Sequence, residues 1–488
     1  MRSKLPSGLF LIFAAVIVQG ADFYASPDGR RVSDGTRKRP WPLHLALQEK
    51  SLQPGDTLWL RGGHYSGPFV VKQSGSSSAP VVIRAFEQER VTIDGGTNEA
   101  RTHPLTIEGR WVTVRDLEVI HTATWLPEAQ TPVAVQCKAP YIKLINLIIH
   151  DAGQGIGAWM EASALEVTGC LIYHNGQRAL EHGIYAQNDA GTGTKTIHDN
   201  IIFNNAGFGI HAYTQQGQLS GFDFQGNILF NNGSKQGGDT RYDSIFVGGE
   251  PAADRIVARS NYTFFSEGVS RPNLRFSTGD HQARPHGKLL VADNYIVGGI
   301  GFTAEDWQEI TFTNNVVVNW AARLTQTRLP FATKWSAYNW NFNRYYGPAV
   351  YGVGNQLHWG LDQWQRATSL DLQSHHTSKL PPRNEVFVRP NAHEPSRAHI
   401  VAYNWEGHPR VAVSLNHLLR VGQSFEIRNA QDYFGRPVIS TVFDGQTVLL
   451  PTTNLFSDPP RGGPVKMPVT GPLFNVYVLL GREPLESP

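Results

Sequence analysis

The stretch from His182 to Gly233, HGIYAQNDAGTGTKTIHDNIIFNNAGFGIHAYTQQGQLSGFDFQGNILFNNG, decides the fold. Inside it GIYAQ (Gly183 to Gln187) returns as GIHAY (Gly209 to Tyr213), and HDNIIFNN (His198 to Asn205) returns as QGNILFNN (Gln225 to Asn232). Two short strand-like pieces separated by Asn/Gly turns thus recur as a unit of about 27 residues. A unit that small cannot bury its own apolar face, so successive units must stack as coils of a solenoid.

Outward from this stretch the same pattern continues in both directions. The position before each hydrophobic triplet is Asp116 (DLEV), Asn146 (NLII), Cys170 (CLIY), Asn200 (NIIF), Asn227 (NILF), Asn261 (NYTF), Asn294 (NYIV) and Asn315 (NVVV). Recurrence of Asn at one place in the coil predicts an amide ladder, with stacked side chains hydrogen-bonding along the solenoid axis. A second strand of each coil aligns as GIGAWM (155–160), GIYAQN (183–188), GIHAYT (209–214), SIFVGG (244–249), NLRFST (273–278) and IGFTAE (300–305). Strand side chains alternate faces. With Ile156, Ile184, Ile210, Ile245 and Leu274 inward, the outer face carries Trp159, Tyr185, Gln187, His211, Tyr213, Phe246 and Arg275.

The chain ends suggest further parts. Arg2 and Lys4, the apolar run Gly8 to Val18 and the small-residue site Val18-Gln19-Gly20 predict a signal peptide over 1–20, with the protein secreted or periplasmic. Leu43, Ala46 and Leu47 fall at helical spacing, and GDTLWLRGGHY alternates like a strand. A helix there would cover the open end of the solenoid. Residues 21–100 are therefore read as an N-terminal cap with the first coils, and 101–320 as the solenoid proper. From 321 to 382 the repeat gives way to a segment rich in Trp and Tyr, expected to flank or cap the last coil. From 383 to 488 strands such as AHIVAYNW, SFEIRNA and NVYVLLG, with turns at Asp444-Gly445, predict a small antiparallel β-sandwich.

Composition agrees and excludes several classes. Glycine is abundant (48 residues) and only 17% of the chain is charged, which suits many short strands and tight turns. Basic and acidic residues number 43 and 41, and without Arg2 and Lys4 the two counts are equal. That balance gives no electrostatic case for nucleic acid or an anionic membrane. No segment after the leader is apolar enough to span a bilayer, and a monomer is expected. Two cysteines, Cys137 and Cys170, do not make a disulfide scaffold; a bridge between them and two buried free thiols both stay open.

The opening of the chain carries a resemblance. Y-x-S-P-D-G, then G-T, P-W, an A-L helix and P-G-D-T-L-W-L-R-G-G-x-Y resemble the start of right-handed parallel β-helix proteins of the pectate-lyase-like superfamily. The resemblance implies an all-β fold, a right-handed parallel β-helix followed here by an accessory β-domain of the kind appended to carbohydrate-active enzymes. It implies a polysaccharide as substrate or ligand, and lyase, hydrolase or C5-epimerase chemistry. Elimination from a uronate needs a base for the C5 proton, an acid for the leaving oxygen and a cation for the carboxylate. His211 with Tyr185 or Tyr213 would act as base and acid, and Arg275 or Arg241 would neutralise the uronate. Trp159, Gln187 and Phe246 would bind sugar, with Arg178, Glu181 and His182 lining the same groove.

Rival chemistries are less well supplied. Hydrolysis needs two facing carboxylates, and only Glu181, Asp189, Asp239 and Asp243, all in turns, are near. The paired-Asp and G-H-G motifs of polygalacturonase-type hydrolases are absent, as is the D-P-H-D motif of mannuronan epimerases. Arg271-Pro272-Asn273-Leu274-Arg275 only loosely echoes the R-x-P-x-x-R of the main pectate lyases. Calcium is the one cofactor left open, with Asp239, Asp243 and Glu250 as its candidate ligands. No P-loop, H-E-x-x-H or CxxC pair appears. The reading favoured is lyase-type elimination on a uronate-containing glycan; the alternative is a non-catalytic glycan-binding or surface solenoid.

Overall fold

The computed structural model describes residues 20–48, 52–96, 102–123, 131–189, 191, 193–236, 241–276, 284–320, 325–328, 333–348, 351–354, 357–461 and 466–482. Residues 1–19 of the expected signal peptide fall outside them. Three sheets of twelve strands each run the length of the solenoid, parallel throughout except for Leu357–Trp359, which closes one of them antiparallel, and each complete coil contributes one strand to each sheet. The sheet that carries the candidate site residues, called the site sheet, contains Gln154–Ala158, Ile184–Ala186, Ile210–Ala212, Ile245–Val247, Pro272–Phe276 and Ile300–Glu305 as successive neighbours. Its register places Tyr185 beside His211, His211 beside Phe246 and Phe246 beside Arg275. The last of the six departs from the sequence alignment by one residue. Leu274 pairs with Phe302, so Phe302 and Ala304 point inward and Thr303 stands beside Arg275 on the outer face.

The amide ladder forms and is longer than the triplets indicate. Asn200, Asn227, Asn261, Asn294 and Asn315 each hand an amide hydrogen to the Oδ1 of the next, at 2.9–3.2 Å, and Asn315 hands on to Asn343. Asn343 in turn donates to the buried Asp371. At Cys170 the ladder loses its amide, and the thiol sits between the backbone of neighbouring coils. Both cysteines are free and buried, and burial pushes each thiol up to about 12. A second, shorter ladder links Asn175, Asn205 and Asn232 at the opposite end of the triplets.

Both ends of the core are closed by helices. Leu43–Gln48 buries Leu43, Leu45, Ala46 and Leu47 at one end. At the other, the aromatic segment does not leave the solenoid: Asn339–Asn341, Arg344–Tyr346 and Tyr351–Val353 add strands to the three sheets. Helix Leu361–Thr368 then lays Trp364 on Trp340 and Tyr351. Coils therefore extend beyond 320, and the aromatic side chains are their core and lid.

The C-terminal residues form a five-stranded antiparallel sheet and a two-stranded one around their own core. This unit lies along the flank of the solenoid, not over its end. In the six triplets from Leu171 to Val318 only the middle residue points into the β-helix core, as with Ile172, Ile202 and Leu229; Leu117–Val119 and Leu147–Ile149 sit one residue out of register with these, Ile148 pairing with Leu171, and bury their first and third residues there instead. The outer residues, among them Tyr173, Phe203, Phe230 and Phe264, face away and pack against Val401, Tyr403, Phe474, Val476 and Val478. Strand Arg397–Tyr403 is buried at every position because its two faces serve two different cores.

Candidate functional site

The outer strip on the site sheet is continuous. Three successive site strands carry a glycine just before their first inward isoleucine, Gly155, Gly183 and Gly209, because the second ladder passes close by. A Cβ on Gly183 would lie 3.0 Å from Asn205 Nδ2 and 2.7 Å from the Gly209 carbonyl, and one on Gly209 only 2.8 Å from Asn232 Nδ2. The scaffold ladder and the site strands are thus fitted to one another.

From the N-terminal side, the Trp159 indole folds back over Gly157, where a Cβ would be 3.0 Å from Nε1. Its ring lies 5.6 Å from that of Tyr185. Gln187 Nε2 donates to the Tyr185 hydroxyl at 3.0 Å. His211 comes next, its ring 5.6 Å from Tyr185, 5.2 Å from Tyr213 and 4.9 Å from Phe246, on which it stacks. The Arg275 guanidinium covers the other face of this aromatic run, 3.9 Å from the Phe246 centroid. Trp159, Tyr185, Gln187, Tyr213 and Arg275 are half-buried, while His211 and Phe246 are buried.

Behind the strip sits a layer of supports. Arg275 Nε lies 2.6 Å from Asp243, off the line of a hydrogen bond. Burial pushes the Asp243 carboxyl up to about 6 against the pull of Arg275. Glu181 spends its carboxylate on its own loop, accepting from the Gln177 and Arg178 backbone N–H groups, from Arg178 Nε and from Thr131 Oγ1. Arg178 is exposed and tied to it. His182 is buried beneath the strip, with Phe208 on one side and His211 on the other. Burial holds His182 well below the usual imidazole range, and burial followed by the nearby Arg275 charge brings His211 down to about 3. Burial raises the Tyr185 phenol.

Not every candidate joins this set. Arg241 is buried at the seam with the C-terminal unit, where it lines a cavity of about 240 Å³ with Phe264, Glu267, Trp320 and Leu473. Asp239 lies outside the described residues. Asp189 and Glu250 are exposed. Calcium takes six to eight oxygen ligands, and no group of three or more His, Cys, Asp or Glu among the described residues is placed to hold a metal. Asp243 faces a guanidinium. The described residues do not fit that ion, and no step is drawn through it.

Besides Arg275 Nε, three buried polar atoms on the strip have no hydrogen-bond partner among the described residues: Trp159 Nε1, His211 Nε2 and Thr303 Oγ1. Buried polar groups are nearly always satisfied. Sequence reasoning placed the first two side chains but passed over Thr303, hidden by the one-residue slip in its strand. No described helix is long and apolar enough to cross a membrane.

The three sheets define a right-handed parallel β-helix, with a separate antiparallel β-domain at its C-terminus. More particularly, residues 23–250 match the Pel9A-like right-handed β-helix region. The chain is 42% identical over 89 residues to pectate lyase PEL9 of Emericella nidulans, which covers 17% of this chain and 21% of that one. It is 32% identical over 111 residues to the uncharacterised protein YwoF of Bacillus subtilis, 20% of this chain and 23% of that one. The chain spans about a fifth of the length of these curated relatives. Among solved structures, a rhamnogalacturonan lyase superposes with a TM-score of 0.51 at 16% identity, over 62% of this chain and 83% of the other. At that identity the likeness speaks to the fold.

Proposed function

We propose that this protein acts on a uronate-containing polysaccharide along the outer strip and cleaves it by β-elimination. The observation that carries the reading is the strip itself: stacked rings, one half-exposed guanidinium and three polar atoms left without partners. Rings suit sugar faces, and unpartnered donors suit hydroxyl and carboxylate oxygens. The local likeness to a pectate lyase favours elimination over hydrolysis.

In the elimination the C5–H bond breaks, its electron pair forms the C4=C5 double bond, and the C4–O bond breaks with the oxygen taking a proton. Arg275 is the cation that bears the charge developing on the C5 carboxylate. Stacking on Phe246 and pairing with Asp243 fix it without burying it. The Tyr185 hydroxyl accepts from Gln187, so its own hydrogen is free for the leaving oxygen, and its raised pKa keeps that hydrogen in place. Tyr213, as the phenolate, takes the C5 proton and becomes the neutral phenol.

The test is incubation with a panel of uronate polymers while following the ultraviolet absorbance of the unsaturated product. A rise with at least one polymer is expected, and no rise with any would remove the lyase reading. Binding without turnover would favour the non-catalytic glycan solenoid, for which rings suffice. Export of the chain, expected from its leader, belongs to the same proposal.

A further inference from the structure

A backbone N–H and two imidazoles form a directional hydrogen-bond chain at the strip. The Phe208 backbone N–H donates to His182 Nδ1 at 3.2 Å. A nitrogen that accepts carries no hydrogen, so neutral His182 bears its own on Nε2. That nitrogen lies 2.9 Å from His211 Nδ1. His211 Nδ1 is therefore an acceptor, and the hydrogen of neutral His211 sits on Nε2, the atom without a partner. The hydrogen bond at one ring nitrogen sets what the other can do.

We infer that His211 is a fixed neutral hydrogen-bond donor to a ligand oxygen, and that His182 is the positioning residue that makes it one, acting through the Phe208 N–H. The role assigned to His211 from sequence was that of a base. For Nε2 to accept a proton, either Nδ1 would have to give its hydrogen to His182 or the ring would have to become an imidazolium. Both force His182 to carry its hydrogen on Nδ1, against the Phe208 N–H, and leave a buried donor without a partner. The titratable and charged groups around the His211 ring are His182, Tyr185, Tyr213 and Arg275. None is a carboxylate that would favour the charged ring. The low pKa of both imidazoles agrees with this arrangement.

A donor at this point recognises an oxygen acceptor, a hydroxyl or carboxylate of an acidic sugar, and this part of the inference rests on the reading of the strip as a uronate site. The tautomer does not rest on it. Long-range proton–nitrogen correlation spectra of the whole protein labelled with ¹⁵N-histidine read the tautomer directly. Expected is an unprotonated Nδ1, a protonated Nε2, and no titration of His211 between about pH 5 and 8. A protonated Nδ1, or titration in that window, overturns the inference whether or not any polymer is cleaved.

Two variants separate positioning from structural support. Gln can accept and donate as His182 does, so His182→Gln should keep the Nδ1 of His211 unprotonated, while His182→Phe should release it and let the ring titrate higher. Identical spectra for the two variants would overturn the role of His182. If cleavage is found, His211→Gln, which retains a donor, should keep kcat within about tenfold with the loss mainly in KM, whereas loss of a general base would cost about 10²–10⁴-fold in kcat.

Discussion

Replacing Asn227 by Ala tests whether the ladder holds the coils together or only decorates them. Asn227 is fully buried, and its amide makes four contacts. Nδ2 donates to the Ile197 carbonyl at 2.7 Å and to Asn261 Oδ1 at 3.1 Å; Oδ1 accepts the Asn200 backbone N–H at 3.1 Å and Asn200 Nδ2 at 3.0 Å. Two of the partners keep another bond: Asn200 Nδ2 still reaches the Val167 carbonyl, and Asn261 Oδ1 still accepts the backbone N–H of residue 227. The Asn200 N–H and the Ile197 carbonyl lose their side-chain partner. At about 1–3 kcal/mol per buried group left unmade, the expected loss is about 2–6 kcal/mol, a large share of a typical folding stability. Asn227→Asp sharpens the test, because a carboxylate oxygen in the place of Nδ2 faces two acceptors. That variant should be worse than Ala at neutral pH and recover in acid as the carboxyl gains a hydrogen to donate. Urea unfolding followed by circular dichroism, with amide exchange at Asn200, measures both. A loss below about 1 kcal/mol in Asn227→Ala, or a pH-independent Asn227→Asp, would refute the reasoning.

Arg275→Ala should lower turnover on the active polymer by about 10²–10³-fold, with Arg275→Lys intermediate because an ammonium stacks less well on Phe246; kcat/KM decides. Burial raises the Asp243 carboxyl in the folded protein to about 6 from its ordinary 3.8. The folded state therefore holds more protons than the unfolded one between those values, and stability falls as pH rises through that window by up to about 1.4 kcal/mol per pH unit. Asp243→Asn should remove that part of the slope in urea titrations at several pH values. Phe474 is fully buried and stacks on Phe264 at 4.6 Å. Phe474→Ala should cost about 3–5 kcal/mol and make the C-terminal unit the first region to exchange amide hydrogens.

The sequence makes the repeat visible where each coil shows Asn followed by three apolar residues. It hides the last coils because Asn343 is followed by Arg344-Tyr345-Tyr346, a triplet whose inward residue is a buried tyrosine and whose first is a cation. The flank was legible in principle. A strand with one wet face would alternate, yet Cys170-Leu171-Ile172-Tyr173 and its relatives are apolar on both faces, which requires a cover. On the site, alternation was enough to bring Tyr185, His211, Phe246 and Arg275 together. It could not reveal that Arg241 turns to the seam, because a long turn precedes its strand, nor the direction of the His182–His211 hydrogen bond, which depends on a backbone N–H.

The double-faced triplets also bear on the order of events during synthesis. A ribosome delivers the coils first and residues 397–478 last. Until those residues arrive, the row of Tyr173, Phe203, Phe230 and Phe264 stands uncovered. A solenoid that could otherwise fold coil by coil is thereby left with a sticky side until residues 397–478 have been made. Chains cut short before that point should be the ones that clump, however many complete coils they contain.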